Sequence, residues 1–371
     1  MINYPEIMEK KGWWRIDLEQ KPDFEKSMER IYYWYYQEIL DRAPIRFTAH
    51  NAEYNEIHGL ENRSWPSLKD RWWDTQYQIE LFEQQLKDMV FNAETFPVFW
   101  PNLGPEVYTA FYGVELIYKE VTSYAVPFLK DLNGLDKIKF DYNNNYFRKI
   151  EEMTYAALER CSGKYLVGYT DFHPGLDCAA AFRDAQELCT DIILEPDKVR
   201  QLIDISSRDF HKIFDYFDII LKSHKQPSVT WMGIPSFGKL HIPSCDLGTL
   251  ISPEQFEEFV LPVLKNEVKQ MTHNIFHLDG TGVANHLDMI LEIPEINAIQ
   301  WVQGLGKDLP IMQWVPLIKK IRSAGKSVVV DLNISELDPF MNEVPPDGIL
   351  LCIDAPYDLQ PEIIRKVGKW K

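Results

Sequence analysis

The chain has 371 residues, of which 45% are hydrophobic, and its 39 Lys and Arg against 56 Asp and Glu give a net charge of −17. A negative field of that size disfavours nucleic acids and anionic membranes as partners. The five cysteines have no regular spacing, which favours reduced thiols and predicts a cytoplasmic protein. No apolar segment has the length of a membrane span, so none is predicted.

Short apolar runs alternate with amphipathic stretches after an aromatic-rich predicted helix at 23–43. The predicted strands, in chain order, are 44–50, 97–101, 164–171, 228–233, 239–246, 274–279, 297–302, 327–333 and 348–354. The predicted helices among them are 75–94, 144–161, 175–222 with a break near Glu195 and Pro196, 251–273, 283–293, 311–325, a short helix after the strand 327–333 and, at the end, 361–370.

This alternation predicts an α/β fold. The strands are rich in β-branched residues and lack polar alternation, which is typical of parallel strands that are buried on both faces. Repeated βα units of this size favour a (β/α)8 TIM barrel, with an open doubly wound sheet as the alternative. We expect one domain over 1–371, in which residues 1–43 form a helical extension that caps one end of the barrel.

Polar residues stand where the predicted strands end, which is where barrel enzymes place their chemistry. His277 and Asp279 are two residues apart on one strand, so both side chains can project towards the barrel mouth. The following Gly280-Thr281-Gly282 turn lets a ligand approach closely. With Cys245 or Cys352 as a further ligand, this pair predicts a site for a divalent ion such as zinc with one position open.

The remaining strand-end residues are candidates for catalysis or substrate binding, and each has a structural alternative. The candidate catalytic residues are Asp171, Asp246, Gln300 and Asp331. The candidate substrate-binding residues are Trp100, Tyr169 and Trp301. Asp331 and Asp354 could instead be N-caps of the helices that follow, and Cys352 could be a buried apolar residue. The other cysteines, Cys161, Cys178 and Cys189, are interpreted as structural.

Two later stretches, SCDLGTLISPEQFEEFVLPVLKN and FHLDGTGVANHLDMILEIPEINAIQW, resemble the uroporphyrinogen decarboxylase superfamily. Ile251-Ser252-Pro253 is similar to the opening of a helix in that family. FWPNLGPEVYTAFYG and GYTDFHPGLDCAAAFRD also look like bacterial members. The resemblance extends from about Pro97 to the end of the chain, and it implies a barrel independently of periodicity. It is compatible with a homodimer.

The superfamily contains heme-pathway decarboxylases and cobalamin-dependent methyltransferases. The decarboxylases carry an arginine-rich motif, Arg-Gln-Ala-Gly-Arg, that holds the propionates of the substrate, and this sequence lacks it. The methyltransferases bind zinc through His-x-Cys and a later cysteine. His277 matches that histidine, Asp279 stands at the position of the first cysteine, and Cys352 falls near the later one. Carboxylate in place of thiolate would give a harder metal site.

Three functional hypotheses follow. The first is a zinc-dependent methyltransferase or demethylase that works with a corrinoid protein on a small methylated substrate. The second is a metal-free decarboxylase in which a carboxylate such as Asp171 or Asp246 stabilises an electron-deficient ring and His277 acts as the acid. The third is a non-catalytic barrel that binds a tetrapyrrole or a corrinoid.

Overall fold

The fold is given by a computed structural model that describes residues 3–48 and 63–371. Part of the predicted strand 44–50 therefore lies outside the described residues. The ten strands of the described ranges are β1 (Ile45–Phe47), β2 (Val98–Phe99), β3 (Glu115–Tyr118), β4 (Ser123–Val126), β5 (Leu166–Val167), β6 (Leu240–His241), β7 (His273–Asp279), β8 (Ala298–Val302), β9 (Ser327–Leu332) and β10 (Ile349–Ile353).

Six parallel strands form one curled sheet in the order β1-β10-β9-β8-β7-β6. Its central strands are almost wholly buried, as their continuous apolar sequences predict. The register aligns His277 with Gln300 and Cys352 with Asp331. The sheet is a parallel half-barrel within an α/β fold.

A separate pair of parallel strands, β2 and β5, lies between the two ends of this sheet. Hydrogen bonds connect the segments beside the pair to the two edge strands. The Glu94 amide, before β2, donates to the Ile45 carbonyl of β1 over 2.8 Å, and the Tyr169 hydroxyl, after β5, donates to the Leu240 carbonyl of β6 over 2.7 Å. These strands are only two residues long, so the eight-stranded ladder of the predicted barrel is not established.

The helices fill the intervals between strands. The bounds are α1 (Tyr4–Lys11), α2 (Phe24–Tyr35), α3 (Leu68–Trp73), α4 (Thr75–Leu86), α5 (Val107–Ala110), α6 (Asn145–Arg160), α7 (Leu176–Arg183), α8 (Ala185–Leu194), α9 (Pro196–Ser207), α10 (Phe210–Ser223), α11 (Pro253–Phe259), α12 (Leu261–Val268), α13 (Gly280–Val283), α14 (Leu287–Leu291), α15 (Val315–Ser323), α16 (Leu337–Glu343) and α17 (Gln360–Val367). The predicted break at Glu195 and Pro196 is confirmed.

Helix α2 packs across the amino-terminal ends of the strands. The Trp34 indole donates to the Gly348 carbonyl over 3.0 Å, just before β10. The Tyr35 ring stacks on His273, at the start of β7, with centroids 3.9 Å apart. Large buried aromatic side chains give this contact its apolar area. These contacts place α2 at the amino-terminal ends of the strands.

Two predicted features differ in the structure. The single helix predicted at 251–273 is divided into α11 and α12 at Val260, because Pro262 has no amide to donate and favours a new helix start. The hairpin of β3 and β4 was not predicted, although β3 alternates exposed and buried residues. Within the described ranges, no helix has both the length and the apolar character required to cross a membrane.

Candidate active site at the carboxyl ends of the strands

A cavity of about 670 Å³ opens beside the carboxyl-terminal ends of β5, β6 and β7. That volume lies within the usual range for small-molecule sites. The cavity combines aromatic rings, acidic groups and histidines, and its lining comprises Trp100, Pro105, Glu106, Tyr108, Thr109, Asp171, His173, Asp177, Cys178, Ala180, Trp231, Ser244, Asp246, Leu247 and His277. Three sequence candidates, Trp100, Asp171 and Asp246, therefore meet His277 in one space.

Asp246, His277 and Asp279 form a group of potential metal ligands. One donor atom from each lies within 4.8 Å of the others. His277 and Asp279 project from the same face of β7 because side chains two residues apart on a strand share a face. The neighbouring segment is fixed to β7 by the His277 amide, which donates to the Pro243 carbonyl over 2.9 Å. The next turn then brings Asp246 to the pair.

Gln300 orients the His277 ring. The distance between His277 Nδ1 and Gln300 Oε1 is 2.7 Å, and the two residues are direct neighbours on β7 and β8. Because an amide oxygen only accepts hydrogen bonds, this contact assigns the proton to Nδ1 and leaves the Nε2 lone pair for a ligand. The Trp231 ring meets the imidazole edge-on, with centroids 5.4 Å apart.

Asp177 holds the turn that carries Asp246. Its carboxylate accepts the backbone amides of Asp246 over 2.9 Å and of Leu247 over 3.0 Å. Burial and the nearby Asp246 charge raise the pKa of Asp177 to about 6, against the effect of these two hydrogen bonds. Partial burial likewise raises the pKa of Asp246, the nearby His277 lowers it, and the Asp279 charge raises it again. The acidic groups thus stand close enough to oppose one another's ionisation.

Asp171 and His173 form a more enclosed part of the wall. Asp171 is only 5% exposed, and its Oδ1 has no hydrogen-bond partner in the described part of the chain. Burial raises the pKa of Asp171 well above its usual range. Burial also lowers the pKa of His173 to about 3, with smaller contributions from His277 and His241. Its Nδ1 lies 2.9 Å from the Ser244 hydroxyl.

The two cysteines suggested as ligands lie apart from this group. Cys352 is buried in the hydrophobic cluster that also contains Ala298 and Val329, and burial raises the pKa of its thiol to about 12. The Cys245 thiol packs in the main hydrophobic core, and burial raises its pKa well above the usual range. Among the described residues, neither sulfur belongs to a group of three or more potential metal ligands whose donor atoms lie within 4.8 Å of one another.

The aromatic candidates separate as well. Trp100 lines the cavity, but Tyr169 does not, since its hydroxyl donates to the Leu240 carbonyl over 2.7 Å. Trp301 follows Gln300 on β8 and therefore points to the opposite face of the sheet. There it is fully buried against Trp314, with ring centroids 5.0 Å apart. Asp331 also lies outside the lining, beside Cys352 and Arg46.

Sequence reasoning missed several residues of the cavity. Cys178, interpreted as structural, lines it, as do Glu106, His173, Asp177 and Trp231. One signal was available for His173, because Asp171-Phe172-His173 has the same spacing as His277-Leu278-Asp279. Asp177 carried no comparable signal, since its role depends on backbone amides that lie 69 and 70 residues away in sequence.

Comparison with known proteins supports the fold. No family model matches the sequence, and no curated protein matches it. Among solved structures, the chain is similar to a methyltransferase from Methanosarcina mazei, with a TM-score of 0.57 and 13% sequence identity. The match covers 89% of this chain and 94% of that chain. At this identity the likeness shows a shared fold, which extends over nearly the whole of both chains.

Proposed function

We propose that the protein is a metal-dependent methyltransferase or demethylase that works with a corrinoid protein on a small methylated compound. The observation that carries this proposal is the convergence of Asp246, His277 and Asp279 at an aromatic-lined cavity. The likeness to the Methanosarcina mazei methyltransferase supports methyl transfer as the type of reaction. A cytoplasmic location and a homodimer stay predictions.

We also propose that the half-barrel belongs to a complete (β/α)8 barrel of the uroporphyrinogen decarboxylase superfamily, formed by a single domain. The hydrogen bonds that connect the segments beside β2 and β5 to the edge strands β1 and β6 support this interpretation. So does the position of the cavity, because barrel enzymes place their sites at the carboxyl-terminal ends of the strands.

The donor set fits a divalent metal. One imidazole and two carboxylates are ligands that zinc, cobalt and iron all accept, and they leave room for a further ligand. A metal bound there would supply Lewis acidity and lower the pKa of a bound nucleophile. Asp246, His277 and Asp279 would hold it, with zinc as the first candidate. The cysteines Cys245 and Cys352 are not needed for this set.

The other residues of the site have separate roles beside the three metal ligands. Gln300 keeps the proton of His277 on Nδ1, so that Nε2 is available to the metal. Asp177 fixes the turn that presents Asp246. Burial raises the pKa of Asp171, which suits this carboxyl to hold a proton and give it to a bound group. Trp100 and Trp231 restrict the access of water to the space beside His277.

The experiment is a methyl-transfer assay with methylcobalamin and a panel of thiol, phenol and amine acceptors, followed by the change in corrinoid absorbance. We expect demethylation that is lost after treatment with EDTA and restored by zinc or cobalt. Unchanged turnover in EDTA would contradict metal dependence. The Asp338→Asn protein is a matched control, because Asp338 lies on the surface in an ion pair with Lys366.

The buried Asp171 carboxyl favours one alternative, a metal-free decarboxylase. A protonated acid inside an aromatic cavity could donate a proton to a carbon that loses carbon dioxide. Carbon dioxide release in EDTA from a carboxylated ring, lost in Asp171→Asn, would favour this alternative. Corrinoid or tetrapyrrole binding without turnover, unaffected by His277→Ala, would favour a non-catalytic barrel.

A further inference from the structure

The chemical character of the cavity restricts what it can bind. Among the described residues that line it, four are acidic and none is a lysine or an arginine. The lining histidine His173 is neutral at physiological pH, because burial lowers its pKa to about 3. Apart from a metal held by Asp246, His277 and Asp279, whose charge two carboxylates would offset, an anionic ligand would find no fixed positive charge opposite it.

Three of the four acidic groups already have a task. Asp177 accepts two backbone amides, and Glu106 accepts the backbone amide of Ala125. Asp246 belongs to the donor group with His277. The acidic side chain that remains is Asp171, which is 95% buried and has an Oδ1 without a hydrogen-bond partner among the described residues. By itself, burial favours the protonated form of this carboxyl. A ligand that brings positive charge beside it would favour the carboxylate and offset the cost of its burial.

Aromatic rings provide the second element of recognition. Trp100, Tyr108 and Trp231 line the same cavity as Asp171. Aromatic faces attract methylated ammonium groups through the ring quadrupole, and the attraction grows when water is excluded. The buried Nε1 of Trp100 also lacks a partner in the part of the chain that the structure describes, so an oxygen acceptor on the ligand would satisfy it. Trp231 contacts His277 edge-on, which would place a methyl group bound against this ring close to the donor group.

We propose that the cavity binds a small methylated ammonium compound, with the cationic group between Asp171 and the rings of Trp100 and Trp231. The role of this compound as the methyl donor rests on the proposed function, whereas its binding does not. The ligand class is therefore set by charge and methylation, and an oxygen acceptor near the cation would improve the fit.

The test uses choline and its neutral isostere 3,3-dimethylbutan-1-ol, titrated into the full chain by calorimetry. The two probes have the same shape and hydroxyl group and differ in the charge of one atom. We expect choline to bind more tightly by at least about tenfold. Asp171→Asn should reduce this preference, and Trp231→Leu should weaken choline more than the alcohol. Asp338→Asn should change neither.

Equal binding of the two probes, tighter binding of the alcohol, or binding of neither would overturn the proposal. The comparison of probes on the wild-type protein needs no variant, so misfolding of Asp171→Asn cannot obscure it. Metal content, measured on the same sample, reports separately on the proposed function. If the protein holds metal at His277 but binds choline no more tightly than the alcohol, this inference fails and the proposed function still stands.

Discussion

Two histidine–aspartate pairs with the same spacing lie at one cavity and differ in their surroundings. Asp171 and His173 follow β5 and are enclosed, so that burial favours the neutral form of both side chains. His277 and Asp279 end β7, where their donor atoms meet that of Asp246. The difference shows that residue type and spacing do not determine chemistry. Enclosure suits the first pair to shaping a ligand site, and access to a third donor suits the second to holding a metal.

The largest expected effect comes from removing the imidazole of the accessible pair. His277→Ala should lower metal affinity and turnover by more than the roughly hundredfold that loss of an outer partner can cause. His173→Asn should retain the metal, because His173 is not among the three donors. Metal content and turnover measured on both variants test this contrast. Equal metal loss in the two proteins would remove the distinction between the pairs.

A smaller effect should follow when His277 keeps its ring but loses its orientation. Gln300→Leu removes the acceptor that lies 2.7 Å from Nδ1, and we expect metal affinity to fall by about 10- to 100-fold. Gln300→Glu retains an acceptor oxygen and should preserve most of the affinity. Competition with a fluorescent chelator measures both variants. Unchanged affinity in Gln300→Leu would mean that His277 is oriented by other contacts.

The enclosed pair, Asp171 and His173, should affect how the free energy of unfolding depends on pH. The pKa of His173 is about 3 in the folded protein and near 6.5 when unfolded. Between these values the unfolded state binds more protons, so stability falls as pH decreases from about 6.5 towards 3. From pH 7 to pH 5 the wild type should lose up to about 2 kcal/mol more than His173→Asn.

Denaturant unfolding at several pH values measures this difference. Asp171 has the opposite sign, since its raised pKa makes the folded state bind more protons. Both proteins retain Asp171, so its contribution cancels in the comparison to a first approximation. Parallel pH profiles for the wild type and His173→Asn would contradict a neutral, enclosed His173.

The smallest functional effect is expected at Trp301. Its ring packs against Trp314 on the outer face of the sheet, so Trp301→Phe should change KM and kcat by less than about twofold while costing about 1 kcal/mol of stability. Trp100→Leu should instead raise KM, because Trp100 lines the cavity. Steady-state kinetics and thermal unfolding separate the two. A raised KM in Trp301→Phe would contradict this and indicate that Trp301 takes part in substrate binding.

The sequence predicted the regular half of the fold more closely than the irregular half. Strands predicted at 274–279, 297–302, 327–333 and 348–354 agree with β7 to β10 within one residue, because long β-branched runs are a strong local signal. The predictions 97–101 and 164–171 shrank to β2 and β5. These segments depend on a few long-range hydrogen bonds, which a local apolar pattern does not determine.

The candidate site, like the fold, was predicted only in part. The strand period placed His277 and Asp279 on one face, and the strand ends indicated Asp171 and Asp246. The same period could have assigned Trp301 to the face opposite Gln300. The separation of Cys245 and Cys352 from the metal ligands could not be read locally, since it depends on how segments distant in sequence pack against one another.

The most direct test of the account is the metal content of protein purified without chelator. Wild type, His277→Ala, Asp279→Ala and the control Asp338→Asn are compared by elemental analysis. We predict about one zinc or similar divalent ion per chain in the wild type and the control, with loss in both site variants. A wild type that binds no metal, even after incubation with zinc and reductant, would contradict the central claim. Retention of metal in both site variants would contradict it equally.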